Sequence, residues 1–129
     1  MTKEFEKIIL IDDDKINNLI NKEIIRQFNQ NIEVVIFERA PEALDFFKKN
    51  PKINSCLILL DINMPIMNGW EFLQSFRNLS LKIPIFMLTS SIDDYDMEIA
   101  KKYAEVLSYI RKPLSVDKLK NSIALINSK

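Results

Sequence analysis

Five side chains in this sequence are of types that handle phosphate when they meet: Asp12, Asp13, Asp61, Thr89 and Lys112. Three carboxylates in one cleft repel, and all of them stay ionised only beside a cation. Oxygen ligands with no His or Cys among them favour a hard ion. A site this sparse leaves several waters bound, which suits Mg²⁺ better than Ca²⁺. A carboxylate can also take a phosphoryl group, forming an acyl phosphate. Lys112 would pair with one phosphoryl oxygen as a point charge, and Thr89 would donate a hydrogen bond to another. Catalysis at such a site is positioning and charge neutralisation.

What the chain lacks narrows the chemistry. It has no histidine, so His-based metal sites, His general bases and a phosphohistidine of its own are excluded. A single glycine, Gly69, rules out a Gly-rich phosphate loop of the nucleotide-binding kinds. One cysteine, Cys56, next to an apolar run, reads as a buried thiol and excludes an internal disulfide framework. The 129 residues, 47% of them apolar, amount to one domain with a real core, residues 1–129. Net charge is zero, with no global pull toward nucleic acid or an anionic membrane. Residues 101–129 nevertheless carry seven Lys/Arg against Glu105 and Asp117, which is +5, so the first hundred carry −5. The start, Met1 to Glu4, is polar, and no apolar run reaches membrane-spanning length, so the expectation is a cytoplasmic protein without membrane insertion.

The elements that must position the five residues follow from apolar patterning. Strands are expected near 7–12, 33–37, 55–60, 84–88 and 106–110. Leu57 to Leu60 is the uninterrupted apolar run of a strand buried on both faces, and it leads into Asp61. Pro65 and Gly69 shape the loop that follows. Between the strands the period changes to that of helices. Ile16, Leu19, Ile20, Ile24 and Phe28 share one face of the first, and Asp14 is its cap. Pro41 opens the second, with Ala43, Leu44 and Phe47 inward. Gly69 and Trp70 open the third, with Phe72, Leu73 and Phe76 inward and Trp70 also read as core. Asp93 and Asp94 start the fourth, whose inner face is Ile99, Ala100 and Tyr103. Ser115 caps the fifth, with Val116, Leu119, Ile123 and Ile126 on one side. Five alternating strands and helices call for a parallel sheet with helices on both faces. Its carboxyl edge, where open α/β sheets place ligands, would gather Asp12, Asp13, Asp61, Thr89 and Lys112.

At these residues the chain resembles the receiver domain of two-component response regulators, in the CheY-like single-domain form. The matching stretches are Leu-Ile-Asp-Asp-Asp at 10–14, Leu-Asp-Ile-Asn-Met-Pro-Ile-Met-Asn-Gly at 60–69, Met-Leu-Thr-Ser-Ser at 87–91 and Tyr-Ile-Arg-Lys-Pro-Leu at 109–114. The resemblance implies a flavodoxin-like, doubly wound (βα)5 sandwich with strand order 2-1-3-4-5. It implies Asp61 as phosphoacceptor and Asp12 and Asp13 as the Mg²⁺-binding acid pair, Asp13 more directly. The backbone carbonyl of Asn63 completes the metal site, and Thr89 and Lys112 hold the phosphoryl oxygens. Ser90 is the small residue beside the site, Pro113 the proline usually preceded by a cis bond, and Tyr109 the aromatic switch that turns inward as Thr89 moves. Ser91 occupies a position that in the family tunes acyl-phosphate lifetime. The loop 103–108 departs from the family by lacking its usual Gly-Ala.

The resemblance implies a phosphorelay signalling domain, not a turnover enzyme, served by a sensor histidine kinase or histidine phosphotransfer protein. Output would pass to a downstream target protein through the face of helix 4, strand 5 and helix 5, with no direct nucleic-acid contact. The domain would be a monomer or a weak phosphorylation-dependent dimer. Two other readings compete. A Mg²⁺-dependent aspartyl-phosphate phosphatase would need an acid two residues after Asp61, where Asn63 stands. A flavodoxin-like FMN binder would need a hydroxyl- and Gly-rich first loop, where three acids stand.

Overall fold

The structure, a computed structural model, describes residues 5–90 and 93–127. Ser91 and the first four residues, on which two of the expectations above rest, lie outside them. Ten elements alternate: β1 (Lys7–Ile11), α1 (Lys15–Phe28), β2 (Glu33–Phe37), α2 (Ala40–Lys49), β3 (Cys56–Asp61), α3 (Gly69–Arg77), β4 (Ile85–Thr89), α4 (Asp94–Ala100), β5 (Val106–Arg111) and α5 (Val116–Asn127). The strands form one parallel sheet in the order β2-β1-β3-β4-β5. The parallel sheet with alternating helices is the one the apolar patterning calls for, and its strand order is the flavodoxin-like one the resemblance implies.

Each strand end differs by a residue from the sequence-based bounds, except β2. The shift is informative in the middle of the sheet: Asp61 and Thr89 are the last residues of β3 and β4, not the first residues beyond them. β3 is buried from end to end because helices cover both of its faces. Ile9, Ile11, Ile58 and Leu60 pack toward α2 and α3, while Ile8, Leu10, Leu57 and Leu59 pack toward α1 and α5. That is the period-2 alternation of a strand, with both sets apolar. Cys56 is buried, as its apolar neighbours imply.

The expected apolar face of α1 packs inward only in its second half, at Ile24 and Phe28. Ile16, Leu19 and Ile20 are exposed, 70%, 66% and 49% respectively. The buried residues of α1 are Asn18, Asn21 and Ile25, with Ile24 and Phe28 partly buried behind them. Both sets have helical spacing, so periodicity alone could not choose between them. The choice is made by what lies beneath. The first turns of α1 stand over the polar carboxyl edge, where Asn18 Nδ2 donates to the Asp12 carbonyl at 2.8 Å. Apolar strand residues lie under the helix only from Ile24 onward.

α4 is also shorter than its expected inner face required. It ends at Ala100, so Tyr103 belongs to the turn after it. None of its residues is buried. Among the described residues, no helix is long and apolar enough to cross a membrane.

Candidate functional site

The β1–α1 turn is fixed by hydrogen bonds before any ligand is considered. Asp14 caps α1, accepting from the amides of Ile16 and Asn17 at 3.0 Å each. Asp12 accepts from the Asp14 amide at 2.9 Å through Oδ1. Asp12 is thereby held with its other oxygen toward the sheet edge, and Asp13 is left exposed. One carboxylate oxygen from each of Asp12, Asp13 and Asp61 lies within 4.8 Å of the other two.

Asp61 is only 6% exposed. Burial, followed by the charge of Asp12, pushes its carboxyl up to about 6, against the opposing pull of Lys112 and the Asn63 amide. The loop that follows is pinned tightly against it. The Gly69 amide donates to the Ile62 carbonyl at 2.8 Å. A Cβ on Gly69 would stand 2.7 Å from the Asp61 carbonyl oxygen, so no larger residue fits there. Glycine serves this close approach and not a left-handed backbone. The left-handed residue of the loop is Ile66, at φ 73°, spanned by a bond from the Met67 amide to the Pro65 carbonyl at 2.8 Å. A β-branched residue in such a γ-turn is strained, at a cost on the order of 1–3 kcal/mol.

Lys112 arrives from the far strand. Its Nζ lies 3.1 Å from Asp12 Oδ2 and 3.4 Å from Asp61 Oδ1. Burial works to lower its pKa, but the charges of Asp12 and Asp61 outweigh it and raise the group above its usual range. The Lys112 amide donates to the Thr89 carbonyl at 2.7 Å, which joins the ends of β4 and β5. Thr89 is buried and Ser90 beside it is exposed. The Lys112–Pro113 peptide is cis. Tyr109 is partly buried in mid-β5, opposite Met87 in the register, and burial raises its pKa. Asn63 is exposed in the loop after Asp61.

The sheet edge thus gathers Asp12, Asp13, Asp61 and Lys112, with Thr89 joined to the Lys112 turn through the backbone. Tyr109 lies on β5, three residues before Lys112. Three carboxylates facing one ammonium form an anionic cleft that a hard divalent cation would balance. Sequence reasoning missed two residues. Asn18, buried beneath the acid turn, holds the Asp12 carbonyl, and its Oδ1 has no hydrogen-bond partner among the described residues. Lys118, on α5, donates to the carbonyls of Arg111 and Pro113 at 2.8 Å each, bracketing Lys112. The only signal for either was its position, four residues beyond a strand-end motif on the following helix.

A family profile described as response regulator receiver domain matches residues 8–124. The response regulator Rcp1 of Synechocystis sp. is 30% identical over 129 residues, covering 94% of this chain and 86% of that protein. The protein-glutamate methylesterase/protein-glutamine glutaminase of Clostridium acetobutylicum is 30% identical over 122 residues. That match covers 91% of this chain, which spans only 34% of the methylesterase's length. Among solved structures, a two component response regulator from Cytophaga hutchinsonii superposes with a TM-score of 0.84 at 29% identity, covering 98% of this chain and 99% of that one.

Proposed function

This chain belongs to the response regulator receiver family of two-component signalling, and from that premise we propose that Asp61 is its phosphoacceptor. The observation that carries the reading is the placement of Asp61: buried at the end of β3, with carboxylate oxygens of Asp12 and Asp13 within 4.8 Å and the Lys112 ammonium at 3.4 Å. The donor is a phosphohistidine of a sensor histidine kinase or histidine phosphotransfer protein. The P–N bond breaks with its electron pair leaving on the imidazole nitrogen, and a bond forms between phosphorus and an Asp61 carboxylate oxygen. Lys112 is already in place to pair with a phosphoryl oxygen, and Thr89 donates to another.

The clustered carboxylates fit Mg²⁺, with Asp12, Asp13, Asp61 and the Asn63 carbonyl as its ligands. When bound, Mg²⁺ supplies charge neutralisation for the phosphoryl oxygens. Thr89 and Tyr109 are the switch pair, Ser90 leaves the mouth uncrowded, and Pro113 shapes the turn that carries Lys112. The domain acts in the cytoplasm, as a monomer or a weak phosphorylation-dependent dimer. It signals to a target protein through α4, β5 and α5, not to nucleic acid. Ile16, Leu19 and Ile20, exposed on the helix that starts from the acid turn, give the donor an apolar seat at the same edge.

Incubation with Mg²⁺ and a small acyl phosphate tests this directly. Intact-mass measurement should show one phosphoryl group on the parent and none on Asp61→Asn. Equal labelling of the two proteins overturns the assignment.

A further inference from the structure

α4 is attached unusually for a helix lying beside a sheet. It buries none of its residues, and Ile99 and Ala100 reach the core only in part. What else holds it and the turn after it comes from α3. The Trp70 indole Nε1 donates to Asp96 Oδ1 at 3.0 Å. Tyr103, in the turn after α4, stacks on the Trp70 ring at 5.9 Å and 22°. The other side of that turn is held by Arg77 at the end of α3. Its guanidinium lies 4.4 Å from the Tyr103 ring centroid, bonds Glu105 at 2.8 and 3.2 Å, and donates to the Lys102 carbonyl. Tyr103 and Glu105 fall in the 103–108 loop that departs from the family pattern.

The first end of this attachment rests on the phosphoacceptor. Trp70 follows Gly69, whose backbone is wedged against the Asp61 and Ile62 backbones with no room for a methyl group. A shift of the main chain at Asp61 therefore moves Gly69 and Trp70 with it, because close-packed contacts transmit displacement instead of absorbing it. At the other end the acceptor, Asp96, stands in a first turn that also holds Asp93 and Asp94. That turn is anionic, so any negative charge left uncompensated at the sheet edge disfavours it.

We propose that the Trp70–Asp96 hydrogen bond is a latch that holds α4 against α3 while Asp61 is unmodified, and that it opens when Asp61 carries a phosphoryl group. The inference rests on the reading of Asp61 as phosphoacceptor. It adds a route from that residue to α4 that runs through α3 and does not pass through Thr89 or Tyr109. The latch opposes loading of Asp61 by as much as it favours the closed state, since coupling between two sites is reciprocal.

Trp70 is the only tryptophan, so its emission reports the latch without labelling. The probe is beryllofluoride with Mg²⁺, whose occupancy is read separately by fluorine NMR. The parent should change emission on loading. Asp96→Ala should begin near the loaded parent's spectrum, change little on loading, and bind beryllofluoride about 3- to 10-fold more tightly. Trp70→Phe keeps a ring for Tyr103 but loses the N–H. Its α4 amides should exchange hydrogen faster than the parent's before loading, and loading should add little. Occupancy without any emission change in the parent overturns the latch. So does an Asp96→Ala protein that matches the parent in unloaded spectrum and affinity. Absence of occupancy in the parent would instead sink the phosphoacceptor reading.

Discussion

Helices α1 and α3 begin in the same way and are used in opposite ways. Each follows a strand with an acid of the site at its carboxyl edge, Asp12 just after β1 and Asp61 the last residue of β3, and each opens on a side-chain cap. Asp14 caps α1, and Asn68 with Glu71 forms a reciprocal capping box on α3. Beyond the caps they diverge. α3 buries Trp70, Phe72, Leu73 and Phe76, whereas α1 buries two asparagines and one large aliphatic residue, Ile25, and displays three others. α3 is built to hold the domain together. The first half of α1 is built to hold the acid turn, through Asn18 on the Asp12 carbonyl, and to present an apolar surface beside it.

The largest test of this contrast is on α3. Phe72 is fully buried and stacks on Phe76 at 5.4 Å. Phe72→Ala should cost about 3–5 kcal/mol in denaturant unfolding. That is a large fraction of the roughly 5–15 kcal/mol typical of a domain. A loss below about 1 kcal/mol would place the weight of the core elsewhere.

A second, smaller effect comes from the root of α3. Burial, then the Asp12 charge, lifts the Asp61 carboxyl to about 6 in the metal-free protein. Its folded pKa lies above the unfolded one, so the native state binds more protons in the interval between them. Stability is therefore present below the unfolded pKa of about 4 and is lost as pH rises through about 6. Asp61→Asn removes that loss. In chelator above pH 6 the variant should be more stable than the parent by about 1–3 kcal/mol, and the gap should close toward pH 4. Added Mg²⁺ should then stabilise the parent and not the variant. A gap that stays constant across this pH range would mean that burial of Asp61 carries no charge penalty.

The same contrast explains what was readable in the sequence. α3 was legible because apolar residues on a helix over an apolar sheet have one place to go. So were β3 and the strand-end acids, since a continuous apolar run ending in a carboxylate has few other readings. α1 was misread because the rule that apolar faces turn inward presumes an apolar floor, and its first turns lie over the polar edge of the sheet. Gly69 was recognised as part of the loop, but its reason was not visible. The left-handed backbone that glycine usually supplies falls on Ile66, and Gly69 is needed for contact with the Asp61 carbonyl. The attachment of α4 was illegible for a different cause. Trp70 to Asp96 and Arg77 to Glu105 are bonds between residues 26 and 28 apart, and no local pattern encodes them.

The smallest expected change in stability is the one that bears most on function. Ile16 and Leu19 are mostly in solvent, so Ile16→Ser with Leu19→Ser removes little buried area. Unfolding free energy should move by no more than about 0.5 kcal/mol. If these residues were core, the same pair would cost several times that, so the stability measurement alone decides which way α1 faces. The functional arm is transfer from a phosphorylated histidine phosphotransfer protein that labels the parent. The double variant should accept from it more slowly, while a small acyl phosphate, which needs no seat on α1, labels variant and parent alike. A donor protein that transfers equally well to both would show that the exposed face of α1 is not where the donor rests. Stability lost together with both transfers would return Ile16 and Leu19 to the core, and the contrast with α3 would disappear.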